Sequence, residues 1–259
     1  MGLTAGADER YLAILRRDRH RDGDFFFGVS TTHVFCRPSC ACRAPSSEHV
    51  EYFDAPAAAL RAGFRPCKRC RPLGDQSAIS LREQRVESPL GALVAVGCEH
   101  GLTLLEFADR PMLGTQRERV RALFGAAIIE DGFPCLDQVV AELAEYFGGT
   151  RRSFGLPLVP LGTPFQRLVW AQLLRIPAGK TTTYDALAEA VGRAGASRAV
   201  GRANGDNRMS IIIPCHRVIG RDGDLTGYGG GLWRKRALLE LEGAATGGDA
   251  RTMVCARRT

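Results

Sequence analysis

The chain reads as a multidomain α+β protein. Three observations point there: two close cysteine pairs between Cys36 and Cys70, a hairpin pattern with helices behind it in the middle, and short helices around a tight glycine turn in the last third. In the first segment, Glu9–Arg19 has helical character, Phe25–Phe27 is an apolar patch and His49–Phe53 reads as a strand. Asp54 with Pro56 starts a helix over Ala57–Ala62, and Gly63 stops it. A polar connector follows at Asp75–Ser88. Leu90–Gly97 and Leu102–Phe107 are apolar, β-rich runs joined at Glu99-His100-Gly101, a hairpin. Val120–Phe124 and Leu136–Phe147 read as helices. No catalytic constellation stands out there, and Cys98 and Cys135 read as buried structural thiols. From about Gly162, Phe165, Leu168, Val169 and Leu173 repeat at helical spacing. Helices over Tyr184–Val191 and Ser197–Asn204 flank the turn Gly192–Gly195 in the manner of a helix-turn-helix, with Ser197 near the cap of the second. An apolar strand, Ile211–Ile213, leads into Pro214-Cys215-His216-Arg217, a glycine-rich loop and a last helix, Leu232–Glu242. The tail beyond is small, polar and loose.

Composition narrows the class. A hydrophobic content of 45% is that of a soluble globular protein. No apolar run approaches the ~20 residues that span a bilayer, and Met1–Arg21 lacks the apolar core and cleavage pattern of a signal peptide. The expectation is a cytoplasmic protein with reduced thiols. Nine cysteines, an odd number, then argue for a metal or a reactive thiol over a disulfide framework. The net charge of +7 is uneven: +3 over residues 1–75, −3 over 76–164 and +7 over 165–259. Basic ends suit a polyanionic partner, although a solvated basic surface would carry the same charge.

Cys36 and Cys40 form a C-x3-C pair, and Cys67 and Cys70 a C-x2-C pair. That spacing suits tetrahedral Zn2+, the ion a thiolate quartet prefers among common cytosolic ones. Spacing alone reads as a structural zinc module. The surrounding stretch Thr31-Thr32-His33-Val34-Phe35-Cys36-Arg37-Pro38-Ser39-Cys40, with Gly63-Phe64-Arg65-Pro66-Cys67-Lys68-Arg69-Cys70, resembles the zinc domain of the bacterial Ada family over roughly residues 8–74. The resemblance implies that the four cysteines hold zinc and that Cys36 accepts a methyl group from a DNA methylphosphotriester. It also implies that Thr32, Arg43 and Arg65 contact the DNA backbone. Zinc keeps the acceptor a thiolate at neutral pH. Four thiolates on zinc carry −2, and methylating one leaves −1, which weakens repulsion from phosphates. Cys42 lies outside the quartet and is expected to be a bystander.

A Cys–His neighbour pair behind an apolar run reads by itself as a buried thiol. Yet Ile213-Pro214-Cys215-His216-Arg217-Val218 resembles the active-site motif of O6-alkylguanine-DNA alkyltransferases. Gly162-Thr163-Pro164-Phe165-Gln166, Val169-Trp170, Ile176-Pro177-Ala178-Gly179, Tyr184, Gly227-Tyr228-Gly229, Lys235 and Leu238-Leu239-Glu240-Leu241-Glu242-Gly243 follow that family in order. The resemblance implies a thiolate displacement at the alkyl carbon by Cys215. His216 would take the proton through a water and Glu242 would orient it, a base-plus-orienter arrangement. Asn207 would fix hydrogen bonds at the thiol, Tyr184 would serve the leaving guanine, and Lys235 would support the pocket. Tyr228, Gly229 and Gly230 would belong to the substrate pocket. The base must be flipped out of the duplex. Arg198 would take its place in the stack, with small residues Ala199, Gly201, Ala203 and Gly205 allowing close approach. Arg208 follows Asn207 where that family usually has proline.

Together the resemblances imply a small four-cysteine zinc domain (1–75), a linker (76–89), an α/β, RNase H-like alkyltransferase N-terminal subdomain (90–160), a helical, winged helix-turn-helix-like catalytic and DNA-binding domain (161–243) and a flexible tail (244–259). The implied activity is stoichiometric, irreversible repair of O6-methylguanine, and of O4-methylthymine, in duplex DNA. One Zn2+ is the expected cofactor, S-adenosylmethionine is not, and the protein is expected to be monomeric, associated with the nucleoid and free of membrane contacts. The short connector leaves no room for the AraC-type region of the Ada family. The alternatives are a methylation-switched transcriptional regulator, a lesion binder without transfer chemistry, which the presence of Cys215 disfavours, and a Cys–His hydrolase, for which no supporting motif is found.

Overall fold

A computed structural model describes residues 8–74, 80–130 and 134–244. The first unit begins with α1 (Glu9–Arg16), capped by the Asp8 carboxylate on the Arg10 N–H. It continues through β1 (Phe26–Val29), β2 (Val34–Cys36), β3 (Val50–Phe53), α2 (Pro56–Arg61) and β4 (Arg65–Pro66). The sheet order is β3-β1-β2-β4, with β1 antiparallel to both neighbours and β4 parallel to β2. Pro56 stands in the first turn of α2, where its missing N–H costs nothing. Asp54 does not cap α2, since Ala55 holds that position without a side-chain bond.

The second unit contains β5 (Leu81–Val86), β6 (Leu93–Cys98), β7 (Gly101–Phe107), α3 (Leu113–Phe124), β8 (Ile128–Glu130) and α4 (Pro134–Phe147). Its sheet runs β7-β6-β5-β8, antiparallel except for the β5–β8 edge. The linker expected at 76–89 therefore holds an inner strand. Arg82, Glu83, Gln84 and Arg85 hide it from a hydropathy reading, because only Leu81 and Val86 of β5 are buried. Gly101 opens β7 at φ +133°, and a Cβ there would lie 2.2 Å from the Pro157 carbonyl oxygen, so only glycine fits.

The third unit is α5 (Pro164–Leu173), β9 (Thr182–Thr183), α6 (Tyr184–Ala190), α7 (Ser197–Gly205), β10 (Val218–Ile219) and α8 (Leu232–Leu241). Thr163 and Gln166 close a capping box on α5. The helix-turn-helix is formed by α6 and α7, with Ala196 and not Ser197 at the cap position. Trp170 on α5 donates to the Ala203 carbonyl and ties α5 to α7. β9 and β10 pair in parallel through two residues each.

Ile211–Ile213, expected as a strand, is a buried turn. Ile212 N–H donates to Ser210 O at 2.9 Å and Ile213 N–H to Met209 O at 2.9 Å, while Ile211 sits at φ +73°. The apolar run signals burial, which a turn meets as well as a strand. The preceding residues are pinned to β7 by Leu105 N–H on Arg208 O and Ser210 N–H on Leu105 O.

The units share cores. Phe26, Phe35, Leu60 and Phe64 of the first pack in one cluster with Leu81, Val96, Leu104, Val120, Phe124 and Leu161. A second cluster joins Leu102, Phe107, Leu136 and Leu143 to Ile211, Ile212 and Leu238. Cys98 is fully buried, and the half-buried Cys135 thiol contacts its carbonyl oxygen. Among the described residues no helix is long and apolar enough to cross a membrane. The tail expected at 244–259 lies outside the described residues beyond Ala244.

Candidate active site and metal centre

Cys215 begins a short 3-10 turn, Cys215–Arg217, at the end of the buried turn. Its backbone is held on both sides, by Cys215 N–H on Ile213 O at 2.7 Å and by Asn204 Nδ2 on Cys215 O at 3.3 Å. Asn207 Nδ2 reaches the Cys215 sulfur at 3.1 Å and also donates to Ile213 O at 2.9 Å, while Asn207 Oδ1 accepts from Met209 N–H. The amide that touches the thiol is thus oriented by the turn that presents it. Burial pushes the Cys215 thiol up to about 11, against the Asn207 hydrogen bond and the charges of Arg110 and Lys235. At rest it is a protonated thiol that needs a base.

The adjacent His216 is fully buried, with Nε2 3.0 Å from Glu242 Oε1 and Nδ1 without a protein partner. Burial lowers its pKa below the ordinary 6.5 against the pull of Glu242, so the ring is neutral near pH 7. Burial works to raise the Glu242 pKa, but hydrogen bonds from His216 and Arg217 outweigh it and hold the carboxyl well below its usual range. Arg217 clamps that carboxylate through Nε at 2.8 Å and Nη2 at 2.7 Å, and Tyr146 Oη donates to it at 2.8 Å. The Glu242 backbone oxygen lies 2.9 Å from where a Cβ on Gly179 would stand, and Gly179 has φ +78°.

A cavity of about 200 Å³ opens onto Cys215. Tyr184, Gly201, Asn207, Tyr228, Gly229 and Arg110 are among its lining residues. Burial raises the pKa of both tyrosines, so each keeps its proton. Gly230 does not line this cavity; it lies against Phe107, where a Cβ would meet the ring at 2.7 Å. Lys235 is fully buried and donates from Nζ to Val218 O at 2.5 Å and Thr226 O at 2.6 Å, tying β10 to the glycine-rich loop. Burial lowers its pKa to about 8.

On α7, Arg198 and Ala199 are exposed beside the cavity residue Gly201. Ala203, expected on the DNA face, is 2% exposed and belongs to the helical core with Trp170. Helical spacing puts it on the opposite side from Arg198. Thr32 and Arg65 line a different cavity, of about 300 Å³, where the first unit meets Thr163, Gln166 and Arg208. Arg208 donates there to Leu161 O at 2.6 Å. Arg43 is exposed.

In the first unit the sulfurs of Cys36, Cys40, Cys67 and Cys70 all lie within 4.8 Å of one another, with Cys40 and Cys67 at 3.9 Å. Tetrahedral Zn–S bonds of ~2.3 Å place sulfurs roughly 3.8 Å apart, so the quartet fits zinc.

Several site residues escaped the sequence reading. Arg217 stood inside the recognised motif but gave no sign of its partner. Tyr146 and Arg110 come from the middle segment, which shows no constellation of its own. Glu106 pairs with Arg110, accepts from Ser210 at 2.9 Å and supports the cavity wall from β7. Only folding brings Tyr146, Arg110 and Glu106 within reach of partners 95 to 104 positions away in sequence.

A buried cysteine on a base-sized cavity, a His–Glu pair behind it, an exposed arginine helix and a four-thiolate module define a class: zinc-bearing alkyl-accepting DNA-repair proteins. Family models match the chain in three consecutive blocks. These are the metal binding domain of Ada at 9–73, the ribonuclease-like domain of 6-O-methylguanine DNA methyltransferase at 81–160 and its DNA binding domain at 164–244. The bifunctional transcriptional activator/DNA repair enzyme Ada of Escherichia coli is 30% identical, with 91% of this chain and 96% of that protein aligned. The methylated-DNA–protein-cysteine methyltransferase of Mycobacterium tuberculosis is 43% identical over 62% of this chain and 92% of its own. A crystal structure of the Mycobacterium tuberculosis protein in complex with DNA superposes with TM-score 0.55 at 41% identity, covering 62% of this chain and 92% of that one. The chain belongs to the Ada-type methylated-DNA–protein-cysteine methyltransferases. It repairs DNA by moving a methyl group to cysteine, binds Zn2+ through its Ada domain and does not depend on S-adenosylmethionine. It is shorter than the Escherichia coli protein, and a regulatory role is not favoured.

Proposed function

We propose that Cys215 is the acceptor for the methyl group of O6-methylguanine, and of O4-methylthymine, in duplex DNA. The observation that carries this is the Cys215 sulfur on a base-sized cavity with the Asn207 amide 3.1 Å away. Neutral His216 takes the thiol proton through a water on Nδ1, and Glu242, clamped by Arg217 and Tyr146, stabilises the resulting imidazolium. The sulfur attacks the methyl carbon, the carbon–O6 bond breaks, and the departing guanine receives a proton, with Tyr184 as the donor. Exposed α7 enters the minor groove, and Arg198 fills the gap left by the flipped base. Lys235 holds the loop bearing Tyr228 and Gly229 over the cavity.

Cys36 accepts methyl from DNA methylphosphotriesters, while Thr32, Arg43 and Arg65 bind the backbone. Bound zinc supplies a deprotonated, nucleophilic Cys36. The protein acts as a monomer on chromosomal DNA in the cytoplasm.

Peptide mass spectrometry after incubation with methylated duplexes tests this. Methylguanine DNA should add one methyl to the Cys215 peptide, and Cys215→Ala should take up none. Phosphotriester DNA should label the Cys36 peptide and not that of Cys36→Ala. An unlabelled Cys215 peptide from folded, zinc-loaded protein would overturn the central assignment.

A further inference from the structure

The zinc module and the catalytic domain meet at the cavity of about 300 Å³. Thr32, His33 and Arg65 line it from the first unit, and Gln166 and Arg208 from the third. Its walls are fixed to each other. Arg167 of α5 lays its guanidinium over Phe64, 5.6 Å from the ring centroid, in the space a Cβ on Gly63 would need. His33 stacks on the same ring at 5.0 Å. The cavity is basic: among the described residues no carboxylate lines it, and neither Arg65 nor Arg208 has an ion-pair partner. Asp206, two positions before Arg208, accepts from Gln166 Nε2 at 2.7 Å. Arg208 spends one donor on Leu161 O, and its Nε is buried without a protein partner. Guanidinium forks from two domains thus share one space with donors to spare, an arrangement that suits a phosphate.

We propose that this cavity binds a backbone phosphate of the same duplex whose base enters the Cys215 cavity, so that the zinc module clamps DNA for repair at Cys215. The inference rests on the reading of α7 as the helix that meets DNA and of Arg65 as a backbone contact. Adjacent residues serve the two cavities: Asn207 lines the one at Cys215 and Arg208 the one at the seam. Arg198 stands in the first turn of α7 and Arg208 three residues past its end, on the order of 15 Å apart at 1.5 Å per residue. That is about four steps of 3.4 Å along one strand. A duplex lying on α7 therefore carries its backbone to the seam, where one phosphate meets both guanidinium groups and gives up a condensed counterion. Arg208 stands where alkyltransferases usually have proline, and the zinc module docked opposite gives that charge its use.

Fluorescence anisotropy of duplexes with and without O6-methylguanine, titrated with the full-length, zinc-loaded chain over a range of salt, tests this. Arg208→Gln and Arg65→Gln should each weaken both complexes and flatten the slope of log K against log salt by about one, the mark of one phosphate. Because they share that phosphate, Arg65→Gln/Arg208→Gln should flatten it no further. Arg208→Lys keeps the charge and should keep the slope. A wild-type slope in either single variant, additive losses in the double variant, or an Arg208→Lys slope as flat as that of Arg208→Gln would overturn the shared site. Inorganic phosphate that binds the chain while Arg208→Gln leaves DNA affinity untouched would make the cavity a free-anion site. Arg43→Gln tests the reading underneath. Loss there with none in Arg208→Gln overturns the seam alone, whereas no loss in Arg43→Gln and Arg65→Gln overturns the zinc module's backbone contacts as well. If Arg208→Gln does not fold, single neutral methylphosphonate linkages decide. Wild type should lose affinity at one linkage about four steps from the extruded base that Arg65→Gln no longer senses, and the lack of any such linkage would overturn the site.

Discussion

If Cys215 is the acceptor proposed above, two demands conflict there: the thiol must be buried to meet an extruded base, yet burial favours the protonated form. In the proposed mechanism the His216–Glu242–Arg217 network resolves this by keeping an uncharged base beside a fixed anion. The pH dependence has a sign. His216 loses its capacity as a base when it takes up a proton, which in the fold happens below its ordinary 6.5. Single-turnover transfer rates should therefore fall on the acid side with a midpoint under pH 6.5, and a midpoint above 7 would exclude His216 as the base. Glu242 gives a second test. Its folded pKa is depressed, so its stabilisation is present above the unfolded value near 4.5 and is lost as pH falls through the folded value. Urea midpoints of wild type should drop faster than those of Glu242→Gln below about pH 4.5. At neutral pH, Glu242→Gln should slow transfer by roughly 10²-fold, the scale of one positioned acid–base group.

At the scale of elements, the site hangs on turns more than on helices. The turn through Ile211 holds a β-branched residue at φ +73° and delivers Cys215, Asn207 and Ser210 together. Gly179 governs the far end, where α8 hands the chain to Glu242. Gly179→Ala adds left-handed strain and a Cβ 2.9 Å from the Glu242 carbonyl. It should destabilise by about 1–2 kcal/mol and slow transfer, because the carboxylate shifts with its backbone. Thermal melts beside single-turnover rates check both, and a normal rate would separate Gly179 from the site. The capping box on α5 is a purely structural contrast. Thr163→Ala should cost about 1 kcal/mol in a urea titration and leave the transfer rate unchanged.

Across the whole molecule the zinc module is bonded to the repair domains by a shared core, with Phe64 fully buried between α2, β1 and the neighbouring cluster. The two parts should unfold together. Phe64→Ala should cost about 3–5 kcal/mol, and zinc chelation should lower the melting temperature of the entire chain in one calorimetric transition. Two separated transitions would show that the units are independent. The cysteine quartet, the Pro214–Val218 motif and most helices were legible in the sequence because each is local in character. The strand at Leu81–Val86 was not, because an inner strand flanked by charged residues has no hydropathic signature until its partners are in place.

Side-chain type and short-range spacing by themselves determined a zinc module, from four soft thiolates at metal spacing. The transfer chemistry was legible only through the longer motifs around Cys36 and Cys215 and the family they resemble. Only the tertiary structure decided what surrounds these groups. It brought Tyr146 and Arg217 onto Glu242, put Arg110 and Glu106 at the cavity wall, turned Ala203 inward and set Cys42 against the quartet. The physical reason is that pairing of buried charges and thiols depends on distance in space, which chain separation does not specify until the cores have packed.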